Sequence, residues 1–179
     1  MAKFLGLDLS TKTGAAIVDS TATVVYAAQI TFPKLMGEAR INAIAGRVMN
    51  LIDHHKPCCV IIEDYAVGRF AGAAIVSISI GSVVRFLLWQ NDIPFLVVSP
   101  TALKKFLTGK GNAKKENMIL DVYKKYGFTS PTNDEADAVA LGMFGVCALK
   151  PSSTFTKAEV AVVADTLKTQ SLFTAKVVV

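Results

Sequence analysis

Apolar and polar positions along this chain follow two different periods. From Lys3 to Leu9 the residues are apolar almost without a break, as in a strand buried on both faces, and Gly14–Asp19 and Thr23–Phe32 carry two further β-rich runs. The "DST" between those runs has the short polar side chains that build tight turns, so the two form a hairpin. Three strands with short connections predict an antiparallel meander. The period then becomes helical. Ile41, Ile44, Ala45, Val48, Leu51 and Ile52 predict a helix over Glu38–His55, with Pro57 after its end. "CCVIIEDYA" predicts a β-branched strand over Cys58–Tyr65, followed by a second helix over Gly72–Gln90, and "IPFLVVS" predicts a fifth strand. After Pro100 the chain is helical, Gly109 and Gly111 mark a loop between two helices, and a final core helix spans Asp134–Leu149.

Helices between the later strands favour parallel crossovers joined onto the early hairpins. The expected fold class is therefore α/β, with a five-stranded mixed sheet, three antiparallel strands and then parallel ones, flanked by helices. It differs from an all-parallel Rossmann sheet. Residues 1–150 are expected to form one domain. Residues 151–179 form a C-terminal extension, in which the capping box of Thr156 and Glu159 starts a helix running to about residue 170. The terminal "VVV" has no evident role.

Composition narrows the class. A chain of 179 residues, 52% hydrophobic and 18% charged, can build one substantial core. The uncharged run Phe70–Val84 is shorter than the roughly 20 residues of a membrane span, contains Gly72 and Gly81, and reads as a buried helix, so no membrane association is expected. Asp8 interrupts the N-terminal apolar run before a signal-peptide core can form. Three cysteines, Cys58, Cys59 and Cys147, with no C-x-x-C pair, argue against a disulfide framework or a zinc finger and suit a reducing cytoplasm. His54 and His55, at a helix end, suit the helix dipole better than a soft metal.

Two strands carry a carboxylate where the pattern asks for burial: Asp8 in "LGLDLS" and Glu63 in "VIIEDYA". A lone buried charge is costly unless something pairs with it. Both lie near the C-terminal ends of their strands, the edge where sheets with crossover helices bind ligands. Asp64 points to the opposite face from Glu63. In "TNDEADAVALG", Asp134 and Asp137 share a helix face, and Asp137 heads a stripe with Leu141, Phe144 and Ala148. Thr132 and Glu135 fit a capping box, which accounts for Glu135 fully, Asp134 partly and Asp137 poorly. Four crowded carboxylates repel one another unless cations intervene. Mg²⁺ is hard, takes oxygen ligands and keeps exchangeable waters. Two such ions about 4 Å apart activate water and stabilise the leaving oxygen of a phosphodiester. Asp8, Glu63, Asp134 and Asp137 are thus the expected catalytic residues and metal ligands, for two Mg²⁺ per site with Mn²⁺ as a substitute.

The net charge of +5 is concentrated: residues 104–125 hold seven lysines against two acids. A solvated helix face is the ordinary reading of such a run. Beside a glycine loop and an acidic site, contact with a phosphate backbone is the competing one, carried by Lys104, Lys105, Lys110, Lys114 and Lys115. The Walker pattern is absent from "TGKGNAKKEN". Tyr65, Arg69 and Phe70 in "YAVGRFAG" either stack on unpaired bases beside the metals or, for the two aromatic rings, fill the core.

The order Asp on the first strand, Glu on the fourth and D-x-x-D on a late helix, with "GLDLSTKTG", "VIIEDYA", "TGKGNAKKEN" and "NDEADAVALG", resembles the RuvC-type Holliday junction resolvases of the RNase H-like superfamily. The resemblance runs from about Lys3 to Leu149. It implies a homodimer that binds a four-way DNA junction and nicks one strand per subunit by Mg²⁺-dependent hydrolysis. It further implies Lys104 and Lys115 as basic residues near the active site, and the helix after Glu63 as the dimer interface. Bacterial members often carry His where Asp134 stands, and Ala66 stands where an aromatic wedge is expected, a place Tyr65 or Phe70 would fill. Such divergence suits a bacteriophage member acting in its host's cytoplasm. A broader RNase H-like or branched-DNA nuclease and a non-catalytic branched-DNA binding module are the rival readings. An actin-like ATPase or sugar kinase shares the first strand-turn but needs two such domains, for which this chain is too short.

Overall fold

The computed structural model describes residues 1–65, 72–149 and 151–170. Five strands, β1 (Lys3–Asp8), β2 (Lys12–Asp19), β3 (Val24–Thr31), β4 (Cys59–Glu63) and β5 (Phe95–Val98), form one sheet in the order β3-β2-β1-β4-β5. β1 runs antiparallel to β2 and parallel to β4; β2–β3 is antiparallel and β4–β5 parallel. The mixed sheet expected from the sequence is present, with β1 at its centre. The β2–β3 turn is held as its composition predicts. One oxygen of Asp19 accepts from the Thr21 and Thr23 N–H groups at 2.8 and 3.1 Å and from the Thr21 hydroxyl at 2.6 Å.

Two helices, α1 (Gly37–His55) and α2 (Gly72–Gln90), connect the strands on either side of β4, and four more follow β5: α3 (Pro100–Thr108), α4 (Lys115–Tyr126), α5 (Asn133–Leu149) and α6 (Lys157–Gln170). The Ser99 hydroxyl accepts from the Ala102 N–H at 3.2 Å and Pro100 occupies the first turn, so α3 starts one residue after the sheet ends. Gly109 closes α3 with φ +77°, a left-handed conformation that favours glycine.

Strand alternation divides the core in two. Leu5, Leu7, Ile17, Val60 and Ile62 pack against α1 and α2. Phe4, Val18 and Ile61 face the other way, against α5 and the helices around it. By the same alternation Asp8 and Glu63 project to the α5 side. α5 departs from its expected single stripe: every residue from Glu135 to Cys147 is buried. It is covered by the sheet on one side and by α3, α4 and α6 on the others, and past Asp137 it carries no charged residue to interrupt the packing.

Glycines seat α5 unusually close to the sheet. A Cβ on Gly14 would overlap the Asp134 carbonyl oxygen, and one on Gly6 would overlap that of Ala138 and lie 2.6 Å from the Gly142 nitrogen. Gly142 and Gly145 give the same clearance from the helix side, toward Val18 and Ile61.

The C-terminal extension is packed into this half of the core. Phe155, Val162 and Val163 join the α5 cluster, and the Phe155 ring lies 6.1 Å from Phe106 of α3. The predicted capping box forms: Thr156 donates its N–H and hydroxyl to Glu159 at 2.7 and 2.8 Å and accepts from the Glu159 N–H at 3.2 Å. Glu159 is only 4% exposed and accepts a 2.6 Å bond from the Lys125 ammonium. Burial pushes its carboxyl up, but the Lys125 and Thr156 donors outweigh burial and hold it below its ordinary value of 4.5. A carboxyl depressed in the fold adds stability above its unfolded value and loses it as the pH falls through the folded one. Glu159→Gln is therefore expected to melt below wild type at neutral pH, with the gap closing as the pH drops below 4.5; thermal unfolding across that range measures it. The terminal "VVV" lies outside the described residues.

Candidate active site

β1 and β4 are parallel and in register from Phe4↔Cys59 to Leu7↔Ile62, which brings Asp8 and Glu63 side by side where both strands end. α5 enters across that edge. Thr132 caps it, accepting from the Glu135 N–H at 3.2 Å, while its hydroxyl contacts the Glu135 carboxylate at 3.3 Å. The buried Glu135 is thereby accounted for as a capping residue, as its spacing predicts. One turn on, Asp137 projects toward the strand ends. A carboxylate oxygen from each of Asp8, Glu63 and Asp137 lies within 4.8 Å of the others. Asp137 is buried and the other two are half-buried.

These groups open into a cavity of about 360 Å³, also lined by Ser10, Asp64, Tyr65, Ser77, Pro100, Lys104 and Asp134. Asp134 borders the cavity but is not one of the three close oxygens. Its Oδ2 accepts a 2.6 Å bond from the Gln29 amide of β3. Lys104, one turn into α3, is the lysine of the basic run that lines the cavity. Lys105, Lys110 and Lys114 are exposed further along the same arm. Lys115 opens α4.

Asp64 stands outside the trio and pairs with Arg85 of α2 at 3.0 Å. The Arg85 guanidinium also stacks on the Tyr65 ring, 4.3 Å from its centroid. The Tyr65 hydroxyl lies 3.2 Å from the Ser82 hydroxyl and donates to the Ile78 carbonyl at 3.3 Å. Gly81 makes room for that ring, since a Cβ there would fall 2.7 Å from it. One face of Tyr65 is thus occupied by Arg85, and the residue clips the end of β4 onto α2. Ala66, Arg69 and Phe70 lie outside the described residues. His54 and His55 stand edge to face, centroids 4.6 Å apart. They sit near the N-terminal ends of β1 and β4, away from the carboxylates.

The sequence did not single out Gln29, Ser10 or Ser77. Gln29 left a faint trace as the one polar side chain between Ala27 and Ile30 of β3. The serines left none, since serine is ordinary in turns and tolerated in helices.

The donor set is chemically uniform. All three close ligand atoms are carboxylate oxygens, with no sulfur or imidazole among them, which is the environment of a hard divalent cation rather than of zinc or copper. Among the described residues no helix is long and apolar enough to cross a membrane.

A family model described as crossover junction endodeoxyribonuclease RuvC matches residues 4–144. The protein of that name from Hydrogenovibrio crunogenus is 31% identical over 143 residues, covering 77% of this chain and 83% of the relative. The one from Gloeobacter violaceus is 34% identical over 131 residues, covering 71% and 75%. Among solved structures, Thermus thermophilus RuvC shares the fold with a TM-score of 0.70 at 22% identity, over 82% of this chain and 95% of that one. A second structure holds T. thermophilus RuvC in complex with Holliday junction substrate, with a TM-score of 0.69 at 22% identity over 80% and 92% of the two chains.

Proposed function

The chain belongs to the RuvC family of crossover junction endodeoxyribonucleases, and from that premise we propose that it resolves four-way DNA junctions as a homodimer, by paired Mg²⁺-dependent nicks made at Asp8, Glu63, Asp134 and Asp137. The observation that carries this reading is the convergence of three carboxylates, from two strands and a helix, within 4.8 Å at the edge of the sheet. Asp8, Glu63 and Asp137 would hold one ion directly, and Asp134 would complete a second site at the cavity margin. Mg²⁺ fits the all-oxygen donors, and Mn²⁺ would replace it with the same ligands. When bound, such ions supply Lewis acidity to the scissile phosphodiester.

The chain's own groups do the rest. Lys104 places a positive charge on the cavity wall, where it draws in a phosphate and offsets its charge. Lys105, Lys110, Lys114 and Lys115 extend that attraction along the DNA backbone. The α5 backbone, seated against Gly6 and Gly14, fixes where the Asp137 carboxylate stands relative to the strands. Tyr65, with Arg85 on one face, offers its other face to an unpaired base, with Arg69 and Phe70 following it in the sequence. The catalytic domain is assigned to residues 1–150, and the extension is assigned a bracing role under α3 and Lys104. The free cysteines suit a reducing cytoplasm.

The dimer rests on α2. Ile75, Val83, Phe86 and Trp89 recur at helical spacing and are all exposed, Trp89 by 60% and Phe86 by 56%. Exposed apolar residues grouped on one helix face mark an interaction surface, and paired nicking requires a second copy of the same site. The test compares four-way, three-way and linear duplex DNA, with the metal chelated or restored, for wild type and Phe86→Asp. Cleavage of the four-way substrate in preference, only with the divalent ion, and a monomeric Phe86→Asp that no longer cuts both strands together are the expected results. Equal cleavage of all three substrates would assign the chain to a broader branched-DNA or RNase H-like activity. Binding without cleavage at any ion concentration would make it a binding module.

A further inference from the structure

Asp134 lines the cavity with one carboxylate oxygen engaged from across the sheet. Gln29 Nε2 donates to Asp134 Oδ2 at 2.6 Å, across 105 residues of sequence and from the outermost strand of the sheet. The bond is part-buried, and a hydrogen bond to a charged acceptor is among the stronger kinds. Gln29 pairs opposite Gly14 in the β2–β3 register, the same glycine on which the Asp134 backbone rests. The carboxylate is therefore fixed from two directions: its main chain by Gly14 and its Oδ2 by the amide. What remains is Oδ1, on a residue that lines the cavity.

We infer that Gln29 is the positioning residue of the second metal site: by holding Oδ2 it orients Asp134 to present a single oxygen, Oδ1, to an ion that binds more weakly than the one at Asp8, Glu63 and Asp137. The inference rests on the metal-site reading above and deepens it by making the two sites unequal and naming the residue responsible. Outer hydrogen-bond partners of ligating carboxylates fix their orientation, and losing one costs about 10–100-fold in metal affinity. An amide suits this task because it orients without adding charge. A glutamate at position 29 would repel Asp134, and a leucine would leave Oδ2 without this donor.

The test titrates Mn²⁺ onto the full chain without DNA, reading free ion by electron paramagnetic resonance, for wild type, Gln29→Leu, Gln29→Asn and Asp8→Asn. Wild type is expected to bind in a tight and a weak phase. Gln29→Leu, and Gln29→Asn with its amide withdrawn by one methylene, weaken the weak phase by about 10–100-fold and leave the tight phase in place. In cleavage assays the same variants need more metal for half-maximal rate but regain the wild-type rate at saturation, which a general loss of structure would not allow. If either Gln29 variant fails to fold, the other carries the test. A single phase in wild type, wild-type titrations in the Gln29 variants, or equal weakening of both phases overturns the assignment. Asp8→Asn separates the two readings: if it also titrates like wild type, the carboxylate site itself is wrong, whereas if it abolishes the tight phase and Gln29→Leu changes nothing, only the role of Gln29 falls.

Discussion

Asp8→Asn is expected to lower junction cleavage by well over 100-fold while leaving junction binding within a few-fold of wild type. Loss of an outer hydrogen-bond partner already costs about 10–100-fold at a metal site, and Asp8 supplies one of the three oxygens that lie within 4.8 Å of each other. Asparagine keeps the shape of the side chain and one oxygen but removes its charge. The chain should still fold, because Asp8 ends its strand at the cavity edge rather than inside the packed core. Binding should survive because the lysines proposed to meet the DNA backbone, Lys104, Lys105, Lys110, Lys114 and Lys115, are untouched by this change. Cleavage by gel assay at several Mg²⁺ concentrations, beside a band-shift titration in Ca²⁺, measures both halves. Undiminished cutting by Asp8→Asn would remove the carboxylate centre from the mechanism.

The second large effect is expected from a single methyl group. Gly14→Ala should destabilise the protein by about 3 kcal/mol, a fall of about 6–12 °C in melting midpoint for a chain of this size. The new Cβ would overlap the main-chain carbonyl oxygen of Asp134. A flexible side chain could swing aside, but a helix backbone cannot, so α5 must lift from β2. That movement carries Asp134 and Asp137 with it, because both belong to the first turns of α5. Cleavage should therefore drop in Gly14→Ala even at temperatures where the variant is fully folded. Gly46→Ala serves as the control: it sits on the exposed face of α1 with nothing near its Cβ, and alanine there should be neutral or slightly stabilising. Parallel melts and rates for the two variants separate the seam from any general effect of replacing glycine.

The sequence and the structure agree most where hydrophobic period and turn chemistry act locally. β1, β2 and β3 and the turn at Asp19 follow from alternation and short polar residues, α1 from its helical spacing, and α6 from Thr156 and Glu159. Asp8 and Glu63 stood out because a charge inside an apolar strand breaks the pattern that surrounds it. The same logic reached Asp137, at the head of an apolar helix. It reached Asp134 only as a neighbour on that helix, and could not tell that its partner is Gln29, because a glutamine in a half-buried strand has no signature that identifies what it faces. The close seat of α5 was hidden for a related reason. Gly6, Gly14, Gly142 and Gly145 are scattered over the chain, and their purpose exists only once helix and sheet are apposed. The breadth of α5 burial followed from three helices closing over it, which periodicity within one segment does not encode. Asp64 was set apart from the carboxylate group in the sequence, but its Arg85 partner was not foreseen.

The three close carboxylates come from residues 8, 63 and 137, and this order has a consequence for the protein while it is still being made. When the ribosome has finished β4, Asp8 and Glu63 exist but the helix bearing Asp137 has yet to be translated. At synthesis rates of about 5–20 residues per second that helix arrives ~4–15 s later. A nascent chain in that interval lacks Asp137, Asp134 beside it, and the element that closes over one face of its sheet. The proposed carboxylate centre is thus assembled only after α5 has been made, and polypeptides that stop short of that helix lack it.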